Sequence, residues 1–170
     1  MPSQATELMD AWFAICASEA VAAHAKTYPA RADEYGGYFG DFLAVGASVS
    51  QEQINDAWEL RRIFSTEFNE FLAGVDTLAL PSGIGPLRND YDLYQNAETL
   101  QPLFDAAHLE YTVPFDMSGA PALTLRCGFT SDGMPLAIQF GGAPYSEATL
   151  CRIGHAYEQA TSWHERNPPI

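Results

Sequence analysis

The sequence predicts an α/β fold, with helices filling the first half and strands concentrated in the second. Three observations carry this. The 170 residues have the 47% apolar and 12% aromatic content of a globular chain able to bury a core. Apolar residues recur at helical spacing up to about Leu72 and again after Ser146. Between those stretches stand short apolar runs bounded by Gly, Pro and Asp, the marks of strands and their turns. No repeat, low-complexity tract or interdomain linker interrupts the chain, so a single domain is expected over residues 1–170.

Taken in order, Ala5 to Lys26 is rich in Ala, Leu and Glu, and Leu8, Trp12, Ile15 and Ala22 form a helical stripe that Tyr28-Pro29 ends. Ala32 to Val45 reads as a shorter helix with Tyr35, Phe39, Phe42 and Leu43 apolar, weakened by Gly36, Gly37 and Gly40. Ser50-Gln-Glu-Gln53 is a capping-box pattern, in which serine and glutamine satisfy free helix N–H groups reciprocally. The helix that follows runs to about Leu72, with Ile54, Ala57, Trp58, Phe64, Phe68 and Phe71 on one broad face and Gly74 closing it. Val75 to Pro81 reads as a short buried strand stopped by Pro-Ser-Gly. Ile84 to Asn96 is a connection without periodicity, and Glu98 to Ala107 a short helix. Ala122–Cys127 and Leu136–Phe140 read as strands joined by a hairpin-like reversal at Asp132-Gly133. The last helix starts at the cap Ser146 and runs to about Trp163, with Leu150, Ile153, Tyr157 and Ala160 as its apolar stripe.

Charge narrows the partners. There are 8 Lys+Arg against 22 Asp+Glu, a formal net of -14, and Lys26 alone is a lysine. Such a surface repels phosphate backbones and anionic lipid, which argues against nucleic acid and membranes as partners. Cys16, Cys127 and Cys151 are odd in number and widely spaced, which speaks against a disulfide framework or a structural zinc site. Met1 to Asp10 has no basic n-region, and Ser18 and Glu19 interrupt the apolar run Ala11 to Ala23. The expectation is a reduced, cytoplasmic protein.

Residue chemistry by itself assembles no catalytic constellation. Of the histidines, His24 and His155 fall on helices, and neither they nor His108 and His164 stand at metal-ligand spacing, so neither a metal nor a cofactor is expected. Ser82 and Ser118 lie in turns where a nucleophile can be displayed, but neither sits in a G-x-S-x-G elbow and turn serines are common for conformational reasons. Cys127 at a strand end reads as a small buried hydrophobe rather than a thiolate. Gly36-Gly37 and Gly83/Gly85 lack the strand-to-helix setting of a phosphate loop. Arg61, near the apolar face of its helix, reads as a snorkelling or ion-paired side chain.

The stretch from Tyr111 to Gly128 (Tyr-Thr-Val-Pro-Phe-Asp-Met-Ser-Gly-Ala-Pro-Ala-Leu-Thr-Leu-Arg-Cys-Gly) is distinctive. So are Asp132-Gly-Met-Pro-Leu-Ala-Ile-Gln-Phe-Gly-Gly142, Glu147-Ala-Thr-Leu and His155-Ala-Tyr-Glu-Gln-Ala160. Together they closely resemble the C-terminal end of amidase-signature hydrolases. Upstream, Ala57-Trp-Glu-Leu-Arg61, Phe71 and Val75-Asp-Thr-Leu-Ala-Leu-Pro81 resemble the helix and strand that precede that end. The likeness runs from about Glu19 to Pro168.

The resemblance implies helices packed on a mixed β-sheet, and an amide-hydrolysing activity that this chain does not carry alone. The family cleaves carboxamides with a Ser–cis-Ser–Lys triad, in which a serine attacks and a neutral lysine takes up its proton through the second serine. Those residues lie in an earlier Gly/Ser-rich signature that has no counterpart here, and Lys26 has no such motif around it, so no catalytic residue is carried over. The chain then resembles the final third of an amidase, supplying sheet strands and part of the substrate-pocket wall. Pro81, Ser82 and Gly83, with Asp116 and Met117 in the turn Phe115–Gly119, are the substrate-binding candidates; the alternative is that these Pro and Gly residues only stop strands. Asp116 stands where relatives usually have Asn, and Arg126 where they usually have Pro, which could disturb a strand end. The expected partner is the catalytic part of an amidase or a second copy of the chain, with an amide-bearing small molecule bound on assembly. The alternative is a separately encoded, non-catalytic binding domain derived from the same fold.

Overall fold

The computed structural model describes residues 5–82, 109–131 and 133–166. Its helices are α1 (Ala5–His24), α2 (Gly37–Ser48), α3 (Gln51–Ala73), α4 (Val113–Ser118) and α5 (Glu147–Ala160). Its strands are β1 (Leu78–Pro81), β2 (Ala122–Phe129) and β3 (Pro135–Gly141). The helix-rich α/β class is therefore the one the sequence predicts. The expected connection over 84–96 and the helix over 98–107 lie outside the described residues. Internal contacts group into two compact units, one of residues 1–63 and 88–110 and one of 64–87 and 111–170.

In the first unit α1 packs against α2. The crossing is close because Gly46 of α2 lies directly against the Ala17 backbone of α1: a Cβ there would lie 2.7 Å from the Ala17 carbonyl carbon and 2.9 Å from Val21 Cγ2. Leu8, Ala11, Ile15 and Ala17 are buried, whereas Ala22, expected in the stripe, is exposed. The helix expected over Ala32–Val45 is split. A 3-10 turn spans Ala32–Glu34, Tyr35 is extended, and α2 begins after Gly36, so the glycines move its start and it runs on to Ser48. Tyr35, Phe39 and Phe42 form an aromatic ladder continued by Phe13 and His24, whose Nδ1 lies 3.0 Å from Tyr35 Oη.

The capping box of α3 forms in both directions, with Gln53 N–H donating to Ser50 Oγ at 3.2 Å and Ser50 N–H to Gln53 Oε1 at 2.9 Å. The buried stripe of α3 is narrower than expected. Ala57, Phe64, Phe68 and Leu72 are buried, but Trp58 and Phe71 are 40% and 54% exposed. Each of these two follows or precedes a stripe residue by one position, hence about 100° round the helix, and falls on its shoulder. Arg61 covers part of Trp58, its guanidinium carbon 4.8 Å from the ring centre.

The second unit holds the sheet, in the order β1-β3-β2. Both pairings are antiparallel, so within the described residues the sheet is not the mixed one that the resemblance implies. β2 and β3 pair as antiparallel neighbours, and Gly133 between them stands at φ 88; Asp132 of the expected Asp132-Gly133 reversal lies outside the described residues. β1 is confined to its last four expected residues, and β2 runs past Cys127 to Phe129. The register shifts between Arg126 and Gly128, which leaves Cys127 as the extra residue of a bulge. Arg126 thus sits at an irregularity, as expected, but the strand continues through it.

Alternation assigns the two faces of the sheet. Leu123 and Leu125 oppose Phe140 and Ile138, and α5 lies on this face: Gly154 stands over Leu123 and Leu125, and Tyr157 meets Phe140 at 5.9 Å between ring centres. Leu150 is buried, but Ala160 is exposed and α5 ends there, before a 3-10 turn at Trp163–Glu165. Ser146 occupies the N-cap of α5 without a capping bond from its hydroxyl, because its φ of -95 and ψ of 16 are not the extended values that aim the side chain at the first N–H groups. The opposite face, with Gln139 and Gly141, carries α4.

Candidate functional site

The candidate residues come from two places in the second unit, the end of β1 and the short helix α4. Pro81 pairs with Ile138, and Ser82 extends the ladder by donating its N–H to the Ala137 carbonyl at 3.1 Å. Pro81 is exposed and Ser82 half-buried; Gly83 lies outside the described residues.

α4 exists because Pro114 suits the first helical turn, where its missing N–H costs nothing, and Gly119 ends it in the left-handed region at φ 70. The Gly119 N–H donates to the Phe115 carbonyl at 2.9 Å. Three further contacts hold the helix in place. Ser65 of α3 donates its hydroxyl to the Met117 carbonyl at 2.8 Å. The buried Gln139 donates Nε2 to the Tyr111 carbonyl at 2.9 Å. Phe115 packs edge-on against Phe68 at 5.5 Å and fills the space beside Gly141, where a Cβ would collide with its ring.

This arrangement gives the candidates distinct roles. Asp116 is exposed on α4, whereas Met117 is 2% exposed and belongs to the core. Met117 therefore anchors the turn that displays Asp116. Ser118 is committed to backbone geometry: its Oγ accepts the Ala120 N–H at 3.1 Å and lies 3.5 Å from the Phe115 carbonyl it donates to. That is the conformational use of a turn serine. Lys26 is exposed beyond the end of α1. Gln139 and Ser65 were not singled out by sequence reasoning. A glutamine inside the apolar run Leu-Ala-Ile-Gln-Phe was the available signal, since a buried polar side chain needs a partner; Ser65 carried none.

The arrangement has counterparts of known structure. A bacterial aryl acylamidase of the amidase signature family superimposes with a TM-score of 0.76 at 21% identity, covering 97% of this chain and 37% of that one. A 6-aminohexanoate cyclic dimer hydrolase does so at 0.56 and 27% identity, over 75% of this chain and 28% of that one. The fold is that of amidase-signature enzymes. The sequence model of the Amidase family matches residues 2–151, and the chain belongs to that family. Among curated relatives, the putative amidase AmiD of Mycobacterium tuberculosis is 38% identical over 157 residues, which is 91% of this chain and 32% of AmiD. A glutamyl-tRNA(Gln) amidotransferase subunit from Chloroflexus aggregans is 34% identical over 133 residues, 75% of this chain and 25% of that protein. The chain thus spans about a third or less of the length of these relatives.

Proposed function

We propose that this chain is the C-terminal part of an amide C–N bond hydrolase, which supplies strands and part of the substrate-pocket wall and is inactive until joined by a catalytic region. The observation that carries the reading is its length: it belongs to the amidase family yet spans 32% of AmiD. The absence of a Gly/Ser-rich stretch from the sequence supports it. In this reading the β1 end (Pro81, Ser82 and Gly83) and Asp116 face an amide-bearing small molecule, while Met117 and Gln139 keep α4 in position. Asp116 brings a negative charge to that wall and favours substrates with a donor or a cation near the amide. Three free thiols fit a reducing compartment, and we assign the protein to the cytoplasm on that ground.

The test begins with the mass of the polypeptide recovered from its native source together with whatever remains bound to it. A longer chain, or a complex with a Gly/Ser-rich partner, is expected, and only that assembly hydrolyses carboxamides. A serine-reactive probe that labels Ser82 or Ser118 in the isolated, folded chain, accompanied by amide hydrolysis, overturns the reading.

A further inference from the structure

The two edges of the sheet are not alike. At β1 the Ser82 N–H donates to the Ala137 carbonyl at 3.1 Å, and the pairing continues through Leu80–Gln139 and Leu78–Gly141. In an antiparallel ladder, residues bonded to the neighbouring strand alternate with residues whose N–H and carbonyl point the other way. Ala79 and Pro81 therefore turn their backbone groups away from β3. Pro81 has no N–H to lose there, which is how a proline is accommodated inside a paired strand. The outer edge of β1 presents the Ala79 N–H and the carbonyls of Ala79 and Pro81, and no strand among the described residues takes them up.

β2 forms the opposite edge. The Gly142 N–H donates to the Pro121 carbonyl at 3.1 Å, so by the same alternation Leu123 and Leu125 bond to β3 while Thr124 and Arg126 point outward. This edge is closed at its far end. The bulge at Cys127 interrupts it, and the segment after α5 is tied down beside it. Arg126 donates Nη1 to the Trp163 carbonyl at 2.9 Å and to that of Arg166, and Trp163 leans on Phe129 with ring centres 6.2 Å apart. Bulges, charged side chains and covering segments are devices that keep a sheet from growing. Against these, β1 has no charged side chain and only Pro81, which withdraws one donor. Its surroundings are open as well. α5 lies over β2 and β3, Ala79 and Pro81 stay exposed, and the exposed Phe71 and Val75 lead into the strand.

From this we infer that the sheet extends at β1 and not at β2, and that an extended strand of the catalytic region occupies the β1 edge. The inference rests on the function proposed above. A row of backbone donors and acceptors selects another backbone rather than a small ligand. The source of that strand follows from length. This part of the fold fills 37% of the aryl acylamidase and the matching segment 32% of AmiD, so in both the larger share of the chain lies elsewhere.

The probe is AmiD lacking the segment that matches this chain, used once it recaptures its own excised segment. It is expected to capture the full chain. Ala79→Pro removes the outward N–H, and Ala79→Lys places a charge on the edge. Each should weaken capture about tenfold or more at an unchanged melting temperature, since neither touches a bond to β3. Thr124→Pro makes the same change on the β2 edge and should bind like the parent. Capture undiminished in both Ala79 variants, or weakened equally by Thr124→Pro, overturns the inference and leaves the proposed function standing. No capture of the parent overturns both, and a dimer of the chain alone that Ala79→Lys dissolves would then give the edge to a second copy.

Discussion

Tyr157 shows how a single side chain couples the sheet to α5. It packs against Phe140, and desolvation, followed by the neighbouring Cys127, raises its phenol above the ordinary value. A pKa raised in the folded state means that the fold favours the neutral form. Its stabilisation is complete below the unfolded pKa of about 10 and is lost as pH rises through the folded value. Thermal melts should therefore hold steady through neutral pH and fall above about pH 10, and Tyr157→Phe should flatten part of that fall. A variant whose alkaline fall matches the parent would refute the assignment. At this scale the sequence was a partial guide. It located the turn holding Asp116 and Met117, because Gly119 and Pro114 advertise their backbone needs. It could not separate an exposed Asp116 from a buried Met117, since burial depends on Phe68, Gln139 and Ser65, which approach from other elements.

Elements were legible where their signals are local. The α3 start was plain because a capping box is contained within four consecutive residues. Ser50→Ala should cost about 1 kcal/mol, read as a lower urea midpoint at unchanged slope, because it leaves the Gln53 N–H without its acceptor. The α1–α2 crossing makes a stronger demand: Gly46→Ala places a methyl group into the Ala17 backbone and should cost about 1–3 kcal/mol. An unchanged midpoint in Gly46→Ala would mean that the two helices separate without penalty. Strand ends were harder to read. β1 covers only Leu78–Pro81 of the expected Val75–Pro81, because its length is set by the partner residues Ile138–Gly141 and not by its own composition. The bulge at Cys127 was equally hidden, for an extra residue shows only against the strand it faces.

At the scale of the whole chain, a formal charge of -14 opposes association while exposed apolar side chains favour it. Phe71 is 54% exposed and Tyr145, at φ 66 in the turn before α5, is 95% exposed. Screening should tip this balance. Sedimentation of the isolated chain is expected to show growing self-association as salt rises from about 0.01 M to 1 M, where the Debye length shrinks to about 3 Å. A monomer at every salt concentration would contradict this, and with it the proposal that the chain functions as part of a larger assembly. The sheet order carries a consequence of another kind, in time. β2 and β3 are neighbours in sequence and can zip together on the microsecond scale of a hairpin. β1 must wait for the far edge of β3 and close a loop of about fifty residues to reach it, an entropic cost met only once the hairpin exists. The end of β1, with Pro81 and Ser82, is thus among the last parts of the sheet to acquire its shape as the chain folds.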